Sequence, residues 1–150
     1  RRSRTGIIIL INNSPVVWYT KKQSTVKTST FGSEFVALKV ATEMLRGLCY
    51  KLQMMGIPIA GPTYIYCDNN SVVINSPLPA STLKKKSNSI AYHCVRESIA
   101  ADEQRSTYES TKTNLADLMT KPLPGGSQRN YLVSQLLYDI IPALPSAAMA

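Results

Sequence analysis

Apolar and polar positions change period several times along the chain, and each change marks an element. In "GIIILINNSPVVWYTKK" two β-branched apolar runs, residues 7–11 and 16–19, flank the turn-forming cluster Asn12-Asn13-Ser14-Pro15. That pattern predicts a β-hairpin. The period then becomes helical: in "STFGSEFVALKVATEMLRGLCYKLQMMG" the residues Phe35, Leu38, Ala41, Leu45, Leu48, Leu52 and Met55 recur at three- and four-residue steps, with Ser29 or Thr30 to cap the start and Gly56 to close the end. "YIYC", residues 64–67, reads as a buried strand, and a short helix begins near Asn69 or Asn70. The prolines and serines of "SPLPASTLKKKSNS" make a loop. "SIAYHCVRESIAADEQ" returns to a helix with Ile90, Cys94, Val95 and Ile99 on one stripe, "RSTYEST" is a short strand, "TNLADLMTKPLP" a short helix from a Thr113 or Asn114 cap to Pro122, and "YLVSQLLYDII" a last amphipathic helix.

This order predicts a mixed α/β fold in which helices cover one sheet. The hairpin makes part of the sheet antiparallel, and the later strands, joined through helices, are expected to be parallel by right-handed crossovers. At 150 residues the chain fits one domain, expected over 1–140 with 141–150 as a tail. No apolar run approaches the ~18 to 20 residues of a membrane span, and "RRSRTGIIIL" lacks the layout of a signal peptide. The expectation is a soluble, intracellular protein with no membrane partner, in the nucleus or a cytoplasmic particle.

Charge narrows the partner. Seventeen Lys and Arg against nine Asp and Glu leave a formal +8, which favours a polyanion such as nucleic acid. Cys49, Cys67 and Cys94, with one histidine, complete no zinc pattern, so they read as reduced, mostly buried thiols.

Three of the nine acids sit in unusual company. Glu34 is placed in the first turn of the long helix, Asp68 ends the buried strand, and Asp117 lies in a small apolar helix. Singly, each has a plain explanation as a helix cap or a partner for the helix macrodipole. Together they match what two-metal phosphodiester chemistry needs: carboxylates from separate elements at the carboxyl edge of a sheet, whose oxygens suit Mg²⁺ better than zinc.

The segments "WYTKKQSTV", "TSTFGSEFVAL", "YIYCDNNSVV", "LKKKSNSIAYHCVRE" and "NLADLMTKPLP", in that order, resemble the RNase H domain of the Pol polyprotein of copia-type retrotransposons, from Arg1 to about Ile140. The resemblance implies an RNase H-like fold, hydrolysis of the RNA strand of RNA/DNA hybrids, two Mg²⁺ (or Mn²⁺) ions, and a reverse transcriptase domain in the same polyprotein. It implies catalytic, metal-holding roles for Glu34, Asp68 and Asp117. The family's first catalytic Asp, on a central first strand, has no counterpart here. This chain alone is therefore expected to be weak or inert, with open strand edges. "KKSNSIAYH" has Ser87 and Ser89 where the family often has His and Asp, and keeps Lys86 and His93.

Gripping a hybrid calls for phosphate-binding lysines and short polar groups. The candidates are Lys21, Lys22, Lys84, Lys85 and Lys86, with Ser29, Thr30, Asn69 and Asn70 beside the acids. His93 is a possible proton shuttle, or simply a surface or packing histidine. Trp18 is expected in the core. A second reading keeps the fold and the hybrid binding and drops the catalysis: a relic that binds hybrid or supports a reverse transcriptase.

Overall fold

The computed structural model describes residues 2–24, 30–78 and 89–137. Its elements in chain order are β1 (Arg4–Ile11), β2 (Ser14–Lys22), α1 (Thr30–Met54), β3 (Thr63–Cys67), α2 (Asn70–Asn75), α3 (Ser89–Ala100), β4 (Gln104–Tyr108), α4 (Asp117–Thr120) and α5 (Ser127–Leu136). The class is the expected one: an antiparallel hairpin, a parallel strand pair and flanking helices, consistent with an RNase H-like fold.

The hairpin is longer and its turn tighter than the sequence suggested. Asn12 and Asn13 both take positive φ, 50° and 63°, so two residues make the turn and Ser14 and Pro15 join β2. The register steps from Ile9↔Val17 to Leu10↔Pro15, a bulge that passes over Val16 beside the one residue unable to donate to a ladder. On β1 the alternation buries Thr5, Ile7 and Ile9 on the α1 side. Gly6 faces α4, so closely that a Cβ there would lie 2.6 Å from Thr120 Cγ2 and 2.9 Å from Ala116 O. Glycine is therefore what lets α4 seat on the hairpin.

α1 begins one residue past the expected cap: Thr30 is its first helical residue, and Ser29 lies outside the described residues. Its end is a Schellman closure, with Gly56 at φ 78°, Ile57 N–H donating to Leu52 O at 3.0 Å and Gly56 N–H to Gln53 O at 2.9 Å. Phe35 and Leu38 pack with Val72, Tyr92 and Val95 in one core cluster, and Ala41 packs with Ile7 and Ile9 in another. Ile65 of β3 lies against both clusters, so this one strand residue ties the two halves of the core together.

Three expectations need correction. The buried stripe of α3 is Ala91, Tyr92, Val95 and Ser98, while Ile90 is largely exposed: the helix is rolled so that Tyr92 meets Phe35 at 5.7 Å between ring centroids. Trp18 is 69 % exposed, because alternation on β2 turns Val17 and Tyr19, not Trp18, toward α1. Finally, the four strands form two two-stranded sheets, β1–β2 and β3–β4, with no ladder joining them among the described residues. No helix among them is long and apolar enough to cross a membrane.

Candidate functional site: an acid pair at the carboxyl end of β3

β3 and β4 run parallel, so their carboxyl ends share one edge of the sheet. Asp68 follows β3 directly there, and the chain turns into α2. The capping question resolves one residue later. Asn69 is the N-cap of α2, its Oδ1 accepting from Ser71 N at 3.0 Å and Val72 N at 3.3 Å. Asp68 is therefore not used as a cap.

Glu34 comes to the same place from α1. With the helix starting at Thr30, Glu34 lies in the second turn and not the first, which removes most of the macrodipole's interest in it. Its environment opposes ionisation. Burial, then the charge of Asp68, push its pKa up to about 6, and a hydrogen bond with the Asn69 side chain works the other way. Cys67, the residue before Asp68, feels the same field: burial first, then Glu34 and Asp68, push its thiol up to about 12, so it stays protonated and unreactive. All three cysteines are free thiols, as expected, but half-buried and not mostly buried.

Gln23 anchors the helix start that carries Glu34. Its Nε2 donates to Ser33 O at 2.8 Å and Thr5 Oγ1 at 3.1 Å, and its backbone N–H to Ser3 O at 2.9 Å. This clamp joins β1, the end of β2 and the residue before Glu34. It also places the exposed Lys21 and Lys22, just before Gln23, at the end of the hairpin nearest that acid. Sequence reasoning missed Gln23; a lone Gln after two lysines carries no periodic signal.

Asp117 is elsewhere in character. Only 5 % exposed, at the start of α4, it is ion-paired with Lys121 Nζ at 2.8 Å. Among the described residues no group of three or more His, Cys, Asp and Glu is gathered to hold a metal ion. The structure thus pairs Glu34 with Asp68 and does not bring Asp117 into one ligand set with them. Of the other candidates, Asn69 is both cap and Glu34 partner, Thr30 and Asn70 are exposed at the starts of α1 and α2, and His93 is exposed on α3 with its ring edge on Tyr92. Lys84, Lys85 and Lys86 lie outside the described residues.

The chain is 30 % identical over 129 residues, 86 % of its length, to the retrovirus-related Pol polyproteins from transposons RE2 and RE1 of Arabidopsis thaliana. It is 27 % identical over 124 residues, 83 % of its length, to that from transposon TNT 1-94 of Nicotiana tabacum. The chain is homologous to a region of transposon Pol polyproteins. It spans about 9 % of the length of each of these polyproteins. No family model and no solved structure matches it.

Could the acid pair of this Pol-related region hold a metal? Two carboxylates from different elements, one with its pKa raised first by burial and then by its neighbour's charge, suit a single hard cation that keeps several waters. Asp117 has an ion pair of its own with Lys121, while its buried Oδ2 has no hydrogen-bond partner among the described residues.

Proposed function

We propose that the chain is the RNase H-like region of a retrotransposon Pol polyprotein, that it acts beside the reverse transcriptase of that polyprotein, and that its substrate is the RNA strand of RNA/DNA hybrids. The observation that carries this reading is the Glu34–Asp68 pair at the carboxyl end of β3, without an ion-pair partner among the described residues while Asn69 does the capping. Glu34 and Asp68 would hold Mg²⁺ (or Mn²⁺), which supplies activation of water and stabilisation of the leaving oxygen in phosphodiester hydrolysis. The chain's own residues do the positioning: Asn69 orients the Glu34 carboxylate, Gln23 fixes the helix start, and Lys21 and Lys22 meet backbone phosphates of the hybrid.

The separate β1–β2 and β3–β4 sheets support the expectation that this chain alone turns over poorly. The resemblance implies a central strand bearing one more Asp, and such a strand would bridge the two sheets. The test compares hybrid cleavage in Mg²⁺ by the 150-residue chain and by the same chain extended at its amino end with upstream Pol sequence. The extended chain is expected to cleave, with activity lost about 100-fold or more on Asp68→Asn, and the shorter chain to bind hybrid without robust turnover. Robust Asp68-dependent turnover by the shorter chain would overturn the expected inertness. Hybrid binding with no cleavage by either chain would replace this reading with a non-catalytic, hybrid-binding one.

A further inference from the structure

The hairpin carries a charge that nothing within it balances. No Asp or Glu precedes Glu34 in the sequence, whereas Arg1, Arg2, Arg4, Lys21, Lys22 and Lys27 do. β1 and β2 are therefore wholly basic, and their register decides where that charge is concentrated.

Arg4 and Lys22 are cross-strand partners on the rung at the open end of the hairpin. Such partners project from one face with Cβ atoms about 5 Å apart, and like charges there repel. Thr5, Ile7 and Ile9 are buried on the α1 side, so alternation sends Arg4 to the opposite face, the one on which α4 meets Gly6. Thr20 bears this out. Its hydroxyl donates to Met119 O of α4 at 2.7 Å and so accepts from Arg4 Nη1, at 3.4 Å. One long bond to a neutral oxygen is a weak hold on a guanidinium with five donors. Both cations are exposed, and among the described residues neither has an acidic ion-pair partner. Asp117, on α4, is paired with Lys121 instead, at 2.8 Å.

Two facing cations without an acid to match them suit an anion from outside. A phosphodiester offers two free oxygens on one centre, one for the guanidinium fork and one for the ammonium. A lone small anion would leave Arg2 and Lys21, exposed at the same end, unmatched, whereas a polyanion serves the whole strip. The placement agrees. Gln23 follows Lys22 and holds Ser33 O at 2.8 Å, the residue before Glu34, so a backbone passing the acid pair can continue onto this rung.

We propose that Arg4 and Lys22 together clamp one backbone phosphate of a nucleic acid on the α4 face of the hairpin. The clamp rests on the nucleic-acid part of the function proposed above and not on cleavage.

The test is fluorescence anisotropy of a labelled RNA/DNA hybrid with the full chain over a series of salt concentrations, in EDTA so that no metal at Glu34–Asp68 contributes. Arg4→Gln and Lys22→Gln are each expected to weaken binding about fivefold or more at low salt, and the double variant to lower the salt slope by about one unit, as loss of one shared phosphate requires. Lys51→Gln, which removes an exposed charge from the last turn of α1, is expected to change affinity less than about twofold. Without nucleic acid, Arg4→Gln should keep or raise Tm, because it relieves repulsion across the rung. Hybrid binding that both single variants leave intact would overturn the clamp alone, whereas no hybrid binding by the parent chain would overturn the proposed function with it. A slope change of about two units, which means two separate phosphates, would also contradict the clamp. So would an equal loss in Lys51→Gln, a lower Tm for Arg4→Gln, or saturation by inorganic phosphate alone with hybrid binding unaffected by the variants.

Discussion

Glu34–Asp68 and Asp117–Lys121 are two answers to one problem, a carboxylate held partly or wholly out of water. Asp117 is the more buried acid, yet its charge is matched within the fold by an ammonium at 2.8 Å. Glu34 is less buried, and burial first, then the charge of Asp68, raise its pKa to about 6. The difference separates an acid that stabilises its surroundings from a pair that would be relieved by a cation from outside. Burial alone does not mark a functional acid; an unmatched neighbour charge is the better sign.

The largest expected effect breaks the matched side. Lys121→Met strips the counter-ion from buried Asp117 and is expected to lower stability by about 2 kcal/mol in urea unfolding at neutral pH. A change under about 0.5 kcal/mol would mean that Asp117 is not the matched acid of the comparison.

A middle-sized effect tests the cap. Asn69→Ala removes both bonds to the start of α2 and is expected to cost about 1 kcal/mol. The same change deletes the hydrogen bond that favours ionised Glu34, so the Glu34 pKa should move further up. A cap loss with no pKa response would separate Asn69 from the acid pair.

The smallest effect has the opposite sign. A carboxylate whose folded pKa lies above its ordinary value of 4.5 favours the folded state while protonated. Its contribution is therefore present below pH 4.5 and lost as pH rises through about 6. Glu34→Gln should stabilise the chain at neutral pH by about 0.5–1 kcal/mol, after allowing for solvent screening, and flatten stability over that window. Destabilisation at pH 7 would show that Glu34 is held by favourable contacts instead.

Local pattern made much of this molecule legible and left its long-range contacts dark. The hairpin and α1 could be read because alternation and three-four spacing report directly on which face is buried, and Gly56 on how the helix ends. The strand before Asp68 was equally clear as a strand but not as a buried one, since alternation leaves Tyr64 and Tyr66 exposed and turns Ile65 to the core, and which of Asp68, Asn69 and Asn70 caps α2 is a matter of one residue. Only the Asn69 Oδ1 bonds decide it. The stripe Ile90, Cys94, Val95 and Ile99 read for α3 is right at Val95 and Ile99, which pack on the core, and wrong at Ile90, because packing of Tyr92 on Phe35 rolls the helix away from it. Trp18 looked like core by composition, yet β2 turns it outward. The pairing of Glu34 with Asp68 followed from the motif series, while the separate fate of Asp117 depends on Gly6 letting α4 approach β1 and on Lys121 one turn along. No sequence window contains both.

The most direct measurement is the NMR titration of Glu34 with and without Mg²⁺, with the carboxylate resonances of Asp68 and Asp117 followed as the ion is added. Without the ion, Glu34 should titrate near 6. With it, the Glu34 pKa should fall and the Asp68 signal shift, while Asp117, already paired with Lys121, stays where it was. A Glu34 titration indifferent to Mg²⁺, or an ion response centred on Asp117, would contradict the assignment of the acid pair as the cation-holding site.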